Sequence, residues 1–147
     1  LVEDLQQKRS GVVLIDTVLR REKLTQLLTH ATTFVCPSVY EPLGIVNLEA
    51  MACGAPVVGT ATGGIPEVVL DGETGIIVPI DQVDDGTGTP RDPEAFVRDL
   101  AAGLTRMVSD PERAREMGRR GLQRAVDTFS WKQIGRDTVE VYETLLR

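Results

Sequence analysis

Two glutamates, Glu41 and Glu49, stand with seven residues between them in the stretch Y-E-P-L-G-I-V-N-L-E, a proline and a glycine among the seven. The spacing puts Glu41 in a connection before Gly44 and Glu49 about one turn inside the helix that follows. Helical side chains lean back toward the N-terminus, so the Glu49 carboxylate would lie roughly 6 Å down the axis from the first amides. The backbone N–H groups of Leu43, Gly44 and Ile45 would be the unpaired donors of that helix start, where the dipole also favours an anion. Gly44 has no Cβ, so a phosphate could approach the backbone closely. Ionised carboxylates only accept hydrogen bonds, which suits the hydroxyls of sugars. A ligand presenting hydroxyls, then phosphate, then hydroxyls is a nucleotide sugar. The alternative readings are a solvated loop residue for Glu41 and an exposed or capping helix acid for Glu49.

The elements that must position these groups alternate regularly. Leu1 to Arg9 reads as a helix already under way, without an initiating methionine, as in a piece of a longer protein. Val12-Val13-Leu14-Ile15 suits a buried parallel strand. Glu22 to Ala31 has leucines at helical spacing, and Thr33 to Cys36 reads as a strand ended by Pro37. Ile45 to Cys53 is a helix stopped by Gly54. Strands over Pro56–Gly59 and Gly75–Val78 enclose a short helix, Ile65 to Leu70. The pattern predicts an α/β domain, a Rossmann-like parallel sheet with helices on both faces. In such a sheet ligands sit beyond the carboxyl ends of the strands, which is where Tyr40 to Gly44 emerges. Asp81 to Pro93 reads as a long exposed loop. Beyond it come helices Pro93–Val108, Pro111–Phe129 and Trp131–Leu146, with Ser130 as a cap for the last.

Composition narrows the partners. The 147 residues are 41% hydrophobic and 26% charged, with a net charge of -6. Such a chain can bury one domain core, and its acidic balance argues against nucleic acid and anionic membranes. No apolar run approaches the ~18 residues of a membrane span. Cys36 and Cys53 lack CxxC spacing and lie among apolar residues, which suits free thiols in a reducing, cytoplasmic setting.

The string from Phe34 to Pro79 resembles the donor-binding core of the family-four retaining glycosyltransferases, which have the GT-B fold. The residues that carry the likeness are Pro37-Ser38, Glu41-Pro42-Leu43-Gly44-Ile45, Glu49-Ala50-Met51-Ala52, Gly54-x-Pro56-Val57-Val58, Gly63-Gly64-Ile65-Pro66-Glu67 and Gly72-x-Thr74-Gly75. The tail from Asp110 to Trp131 is also similar, and within the family the chain looks most like actinobacterial-type glycogen synthases. The resemblance implies that residues 1–147 are an N-terminally truncated C-terminal, nucleotide-sugar-binding domain, with 111–147 its C-terminal helices. It implies Glu41 on the transferred sugar, the amides of Leu43, Gly44 and Ile45 on sugar and diphosphate, and Glu49 on the ribose. Asp16 to Leu19 would border the base, Gly63-Gly64 would pass close to the cleft, and Glu67 would cap or orient the next helix. The donor would be ADP- or UDP-glucose, used without a metal or other cofactor, and the acceptor an α-glucan. The acceptor domain and the family's diphosphate-binding Arg and Lys are absent from this sequence, so the resemblance implies a fragment inactive alone. Another hexosyltransferase with a glycan or glycolipid acceptor, or a non-catalytic nucleotide-sugar-binding module, stands as an alternative.

Other chemistry fares worse. His30 sits at a helix end, where it suits the dipole. Asp81 to Asp92 resembles a calcium loop, but Val83 takes a ligand position and Asp92 replaces the closing glutamate. No G-x-G-x-x-G follows the first strand. Trp131 reads as a packing anchor, and Arg113, Arg115, Arg119, Arg120 and Arg124 as a solvated basic face.

Overall fold

The computed structural model describes residues 2–146. Three parallel strands, β1 (Phe34–Cys36), β2 (Val57–Thr60) and β3 (Gly75–Val78), lie side by side in chain order. The register sets Val35 opposite Val58 and Val58 opposite Ile76. Successive side chains on a strand face opposite ways, so β2 serves two cores. Val57 packs with Met51, Ile65 and Val68 on one face. Its neighbour Val58 packs with Ile76, Val78, Met107 and Met117 on the other. The first cluster draws on α3 (Ile45–Ala52), α4 (Ile65–Val68) and Ala125 of α6 (Pro111–Phe129), and the second on α5 (Pro93–Ser109) and the Ala114–Met117 part of α6. Helices on both faces of a parallel sheet were expected, and they are found.

The helix starts follow their sequence signals. Asp92 and Asp110, each before a proline at the first helical position, accept from Ala95 N at 2.9 Å and Arg113 N at 3.0 Å. Ser130 caps α7 (Trp131–Leu145) by accepting from Gln133 N at 3.3 Å. Upstream lie α1 (Val2–Lys8) and α2 (Arg21–His30), the latter closed by His30 Nδ1 donating to Gln26 O at 2.8 Å. Gly54 follows α3 at φ +79°, the left-handed position a helix end often needs.

Three expectations fail, each for a physical reason. Val12–Ile15 is irregular and exposed, with Val13 80% accessible. A strand needs a ladder partner, and the three-stranded sheet does not reach this segment. Trp131 is 89% exposed rather than an anchor, because Ser130 does the capping and α7 buries no residue. The basic face of α6 is not simply solvated. Arg124 Nε donates to Val68 O at 3.0 Å and its Nη2 to Glu67 O at 2.7 Å, so it satisfies the last carbonyls of α4. Its guanidinium also stacks 5.2 Å from the centroid of Phe129.

Arg119 and Arg120 pair instead with Glu116, at 2.8 and 2.7 Å. The Arg119 hydrogen bond, then that of Arg120, pulls the Glu116 carboxyl from its ordinary 4.5 down to about 2. The folded value lies below the unfolded one, so this contribution is present above the unfolded value and is lost as pH falls through the folded one. A carboxyl NMR titration should place the Glu116 midpoint near that low value, and Arg119→Ala should move it back up. An unchanged midpoint in the variant would contradict the assignment. Glu116 is exposed, so the effect on overall stability should be small.

Candidate donor-binding site

The segment that leaves β1 is fastened at three of its carbonyls, those of Ser38, Val39 and Glu41. Thr60 Oγ1, at the end of β2, donates to Ser38 O. Gln82 Nε2 donates to Val39 O at 2.6 Å and to Gly88 O at 2.7 Å, and Thr62 Oγ1 reaches Val39 O at 3.4 Å. Gly64 N donates to Glu41 O at 3.0 Å. The loop before Glu41 is thus held by groups that follow each of the other two strands.

The 81–93 segment is the exposed loop expected, and it is pinched closed by its own backbone. Gln82 bridges antiparallel to Pro90, Val83 N donates to Thr89 O at 3.0 Å, and Arg91 N to Asp81 O at 2.7 Å. At its tip the Asp85 carboxylate accepts from Thr87 N and Oγ1 at 2.9 and 2.6 Å, which lowers its pKa, the side-chain bond most. Gln82 then clamps this closed loop against Val39.

Gly63 and Gly64 press directly on the glutamate loop. A methyl at Gly63 would overlap the Glu41 carbonyl, and one at Gly64 would stand 2.6 Å from Leu43 Cα. Among the described residues the Glu67 side chain makes no hydrogen bond. What the end of α4 offers is its main-chain carbonyls, gripped by Arg124.

Gly44 begins α3 at φ +89°, ψ 47°, a left-handed conformation natural only to glycine. Its N–H is not free, as the sequence reading had it. It donates to Glu41 Oε1 at 3.1 Å, because the left-handed turn directs the amide back along the loop. Ile45 and Val46 occupy the first positions of the helix, where amides lack intrahelical acceptors. Residues Glu41 to Val46 line a shallow hollow of about 280 Å³. It contains no Lys or Arg, so the charge offered to an anion there comes from main-chain dipoles.

Of the five site residues read from sequence, Glu41, Leu43, Gly44 and Ile45 share this hollow. Glu49 is exposed one turn further along α3 and does not line it. Asp16 to Leu19 is irregular, with Val18 fully exposed, and Ile15 and Leu19 border a separate apolar hollow with Lys23, Leu27 and His30. Among the described residues no cluster of three metal-ligating side chains occurs.

Asn47 and Gln82 escaped the sequence reading. Asn47 is the only polar residue in the run I-V-N-L, a visible signal in an otherwise apolar helix start. Gln82 had none, since its partner carbonyl is 43 residues away.

A parallel sheet with a glycine-turned helix start at its carboxyl edge has the ligand-binding layout of open α/β folds. The family described as glycosyl transferases group 1 matches residues 1–106, and the chain belongs to it. It is 48% identical over 141 residues to an alpha-maltose-1-phosphate synthase of Mycolicibacterium smegmatis, covering 96% of this chain and 34% of that protein. It is 36% identical over 124 residues to a glycogen synthase of Mycobacterium tuberculosis, covering 84% and 27%. The sucrose-phosphate synthase of Thermosynechococcus elongatus superposes with a TM-score of 0.77 at 33% identity, over 99% of this chain and 33% of that one. The fold is that of the C-terminal domain of GT-B glycosyltransferases. The chain spans about a third of the length of the curated relatives it matches.

Proposed function

We propose that this chain is the donor-holding domain of a cytoplasmic, retaining glucosyltransferase that uses ADP- or UDP-glucose. The observation that carries this reading is the start of α3, where left-handed Gly44 and the Glu41 carboxylate close one hollow at the carboxyl edge of the sheet. Negative charge grows on the diphosphate as it leaves the anomeric carbon. Fixed amides of Ile45 and Val46, aimed there before reaction, stabilise that charge without reorganising. Glu41 accepts from hydroxyls of the transferred glucose, and Glu49, further down the helix, accepts from those of the ribose. Cations for the diphosphate, and the acceptor site, come from a part of the protein beyond these residues, so the chain alone transfers nothing.

Glucose 1-phosphate as acceptor is supported by the 48% identical relative, whose name gives α-maltose 1-phosphate as product. A glucosyl group placed on glucose 1-phosphate makes that product, and an α-glucan chain is the second choice. The test is transfer by the protein at its relatives' full length, from each donor to glucose 1-phosphate and to glycogen. Glucose 1-phosphate should be the better acceptor. Glu41→Ala should lower kcat/KM by ~100-fold or more, in the range seen when one transition-state contact is removed. Glu49→Ala should mainly raise the donor KM. Full activity in both variants would overturn the site.

A further inference from the structure

Asn47, at the third position of α3, is 0% exposed, and neither Nδ2 nor Oδ1 has a hydrogen-bond partner among the described residues. Burying such groups unpaired costs about 1–3 kcal/mol, so an apolar side chain of the same branched skeleton, a leucine, would suit this state of the protein better. The amide lies against Gly44, which itself lines the donor hollow. A methyl on Gly44 would stand 2.5 Å from Asn47 Nδ2 and 3.6 Å from Glu41 Cγ. The space left by the missing side chain of Gly44 is therefore bordered by both the orphaned amide and the glutamate. At present the Glu41 carboxylate is bonded to Gly44 N–H. A donor oxygen that takes this N–H must displace the carboxylate, which then needs another hydrogen-bond donor nearby.

We infer that Asn47 is a positioning residue that receives the Glu41 carboxylate on its Nδ2 when the nucleotide sugar claims Gly44 N–H. Glu41 then has two stations: on Gly44 it covers the empty site, and on Asn47 it faces the sugar. This rests on the donor site proposed above. Pairing in the occupied state offsets the cost of the lone amide, so Asn47 favours ligand binding at the expense of the free fold.

The test combines melting of the 147-residue chain with donor affinity and kcat of the protein at its relatives' full length, using ADP-glucose and UDP-glucose as probes. Asn47→Leu should melt at or above the parent temperature yet lose tenfold or more in donor affinity. Asn47→Asp keeps the side-chain shape but puts a carboxylate, which cannot donate to Glu41, in place of the amide, so it should lose as much if the leucine variant fails to fold. In a Glu41→Ala background, either substitution should add less than twofold, because the residue it acts through is gone. Lower melting with unchanged affinity would make Asn47 structural and overturn the inference. A full tenfold loss in the Glu41→Ala background would also overturn it, since the amide would then act without Glu41. If Glu41→Ala leaves donor binding intact, or neither probe binds the parent, the donor site itself fails. Loss with Glu41→Ala but not with Asn47→Leu or Asn47→Asp sinks only the role of Asn47.

Discussion

Gly118→Val should cost 3 kcal/mol or more, read as a shift of the urea midpoint at unchanged slope. A β-carbon at Gly118 would run into the carbonyl oxygen of Gly54 and stand 3.2 Å from Pro56 Cδ. Neither neighbour can rotate away, because one is main chain and the other a ring. One turn along, a methyl at Gly121 would meet Met51 Cγ at 3.3 Å, a flexible side chain that can give. Gly121→Ala should therefore be much milder. The contrast is the diagnostic: equal costs at both positions would mean that the close approach of α6 to the end of α3 is not what the glycines serve. A loss of this size is a large part of the 5–15 kcal/mol that holds an ordinary domain together.

Gly63→Ala should injure the site more than the fold. Gly63 has φ +50°, in the left-handed region, and its α-carbon lies against the Glu41 carbonyl. A methyl there must push the glutamate loop outward, away from Gly64 N and from the start of α3. The strain and displacement should cost ~1–3 kcal/mol of stability. In the protein at its relatives' full length the same shift should lower kcat/KM by ~100-fold, since misplacing a catalytic group by about 1 Å can do so. Stability and kcat/KM both measured within twofold of the parent would show that the turn does not buttress Glu41.

These two glycines also show where sequence was readable and where it was not. The helix starts at Asp92, Asp110 and Ser130 and the strand Gly75–Val78 were legible, because caps, Asp-Pro steps and apolar runs act through neighbours in the chain. The hollow around Glu41 to Ile45 was legible for the same reason: a proline, a glycine and a helix start are local signals. Gly118 was not, since its reason lies with Gly54 in another helix's end. Gln82 and Asn47 were missed likewise, and Arg124 was read only as part of a solvated face, because each one's significance depends on what folding sets beside it. Val12–Ile15 misled in the opposite sense: its apolar run promised a strand, but pairing is decided by a partner, not by composition.

The grip of Arg124 on the carbonyls of Glu67 and Val68 spans 57 and 56 positions of sequence. It joins a helix remote from the hollow to the short α4 that follows the Gly63-Gly64 turn. A lysine there could offer only a point charge on a flexible stem, without the planar fork that reaches two carbonyls at once. A single side chain of α6 thus ties down the end of α4, the element that follows the turn bracing the glutamate.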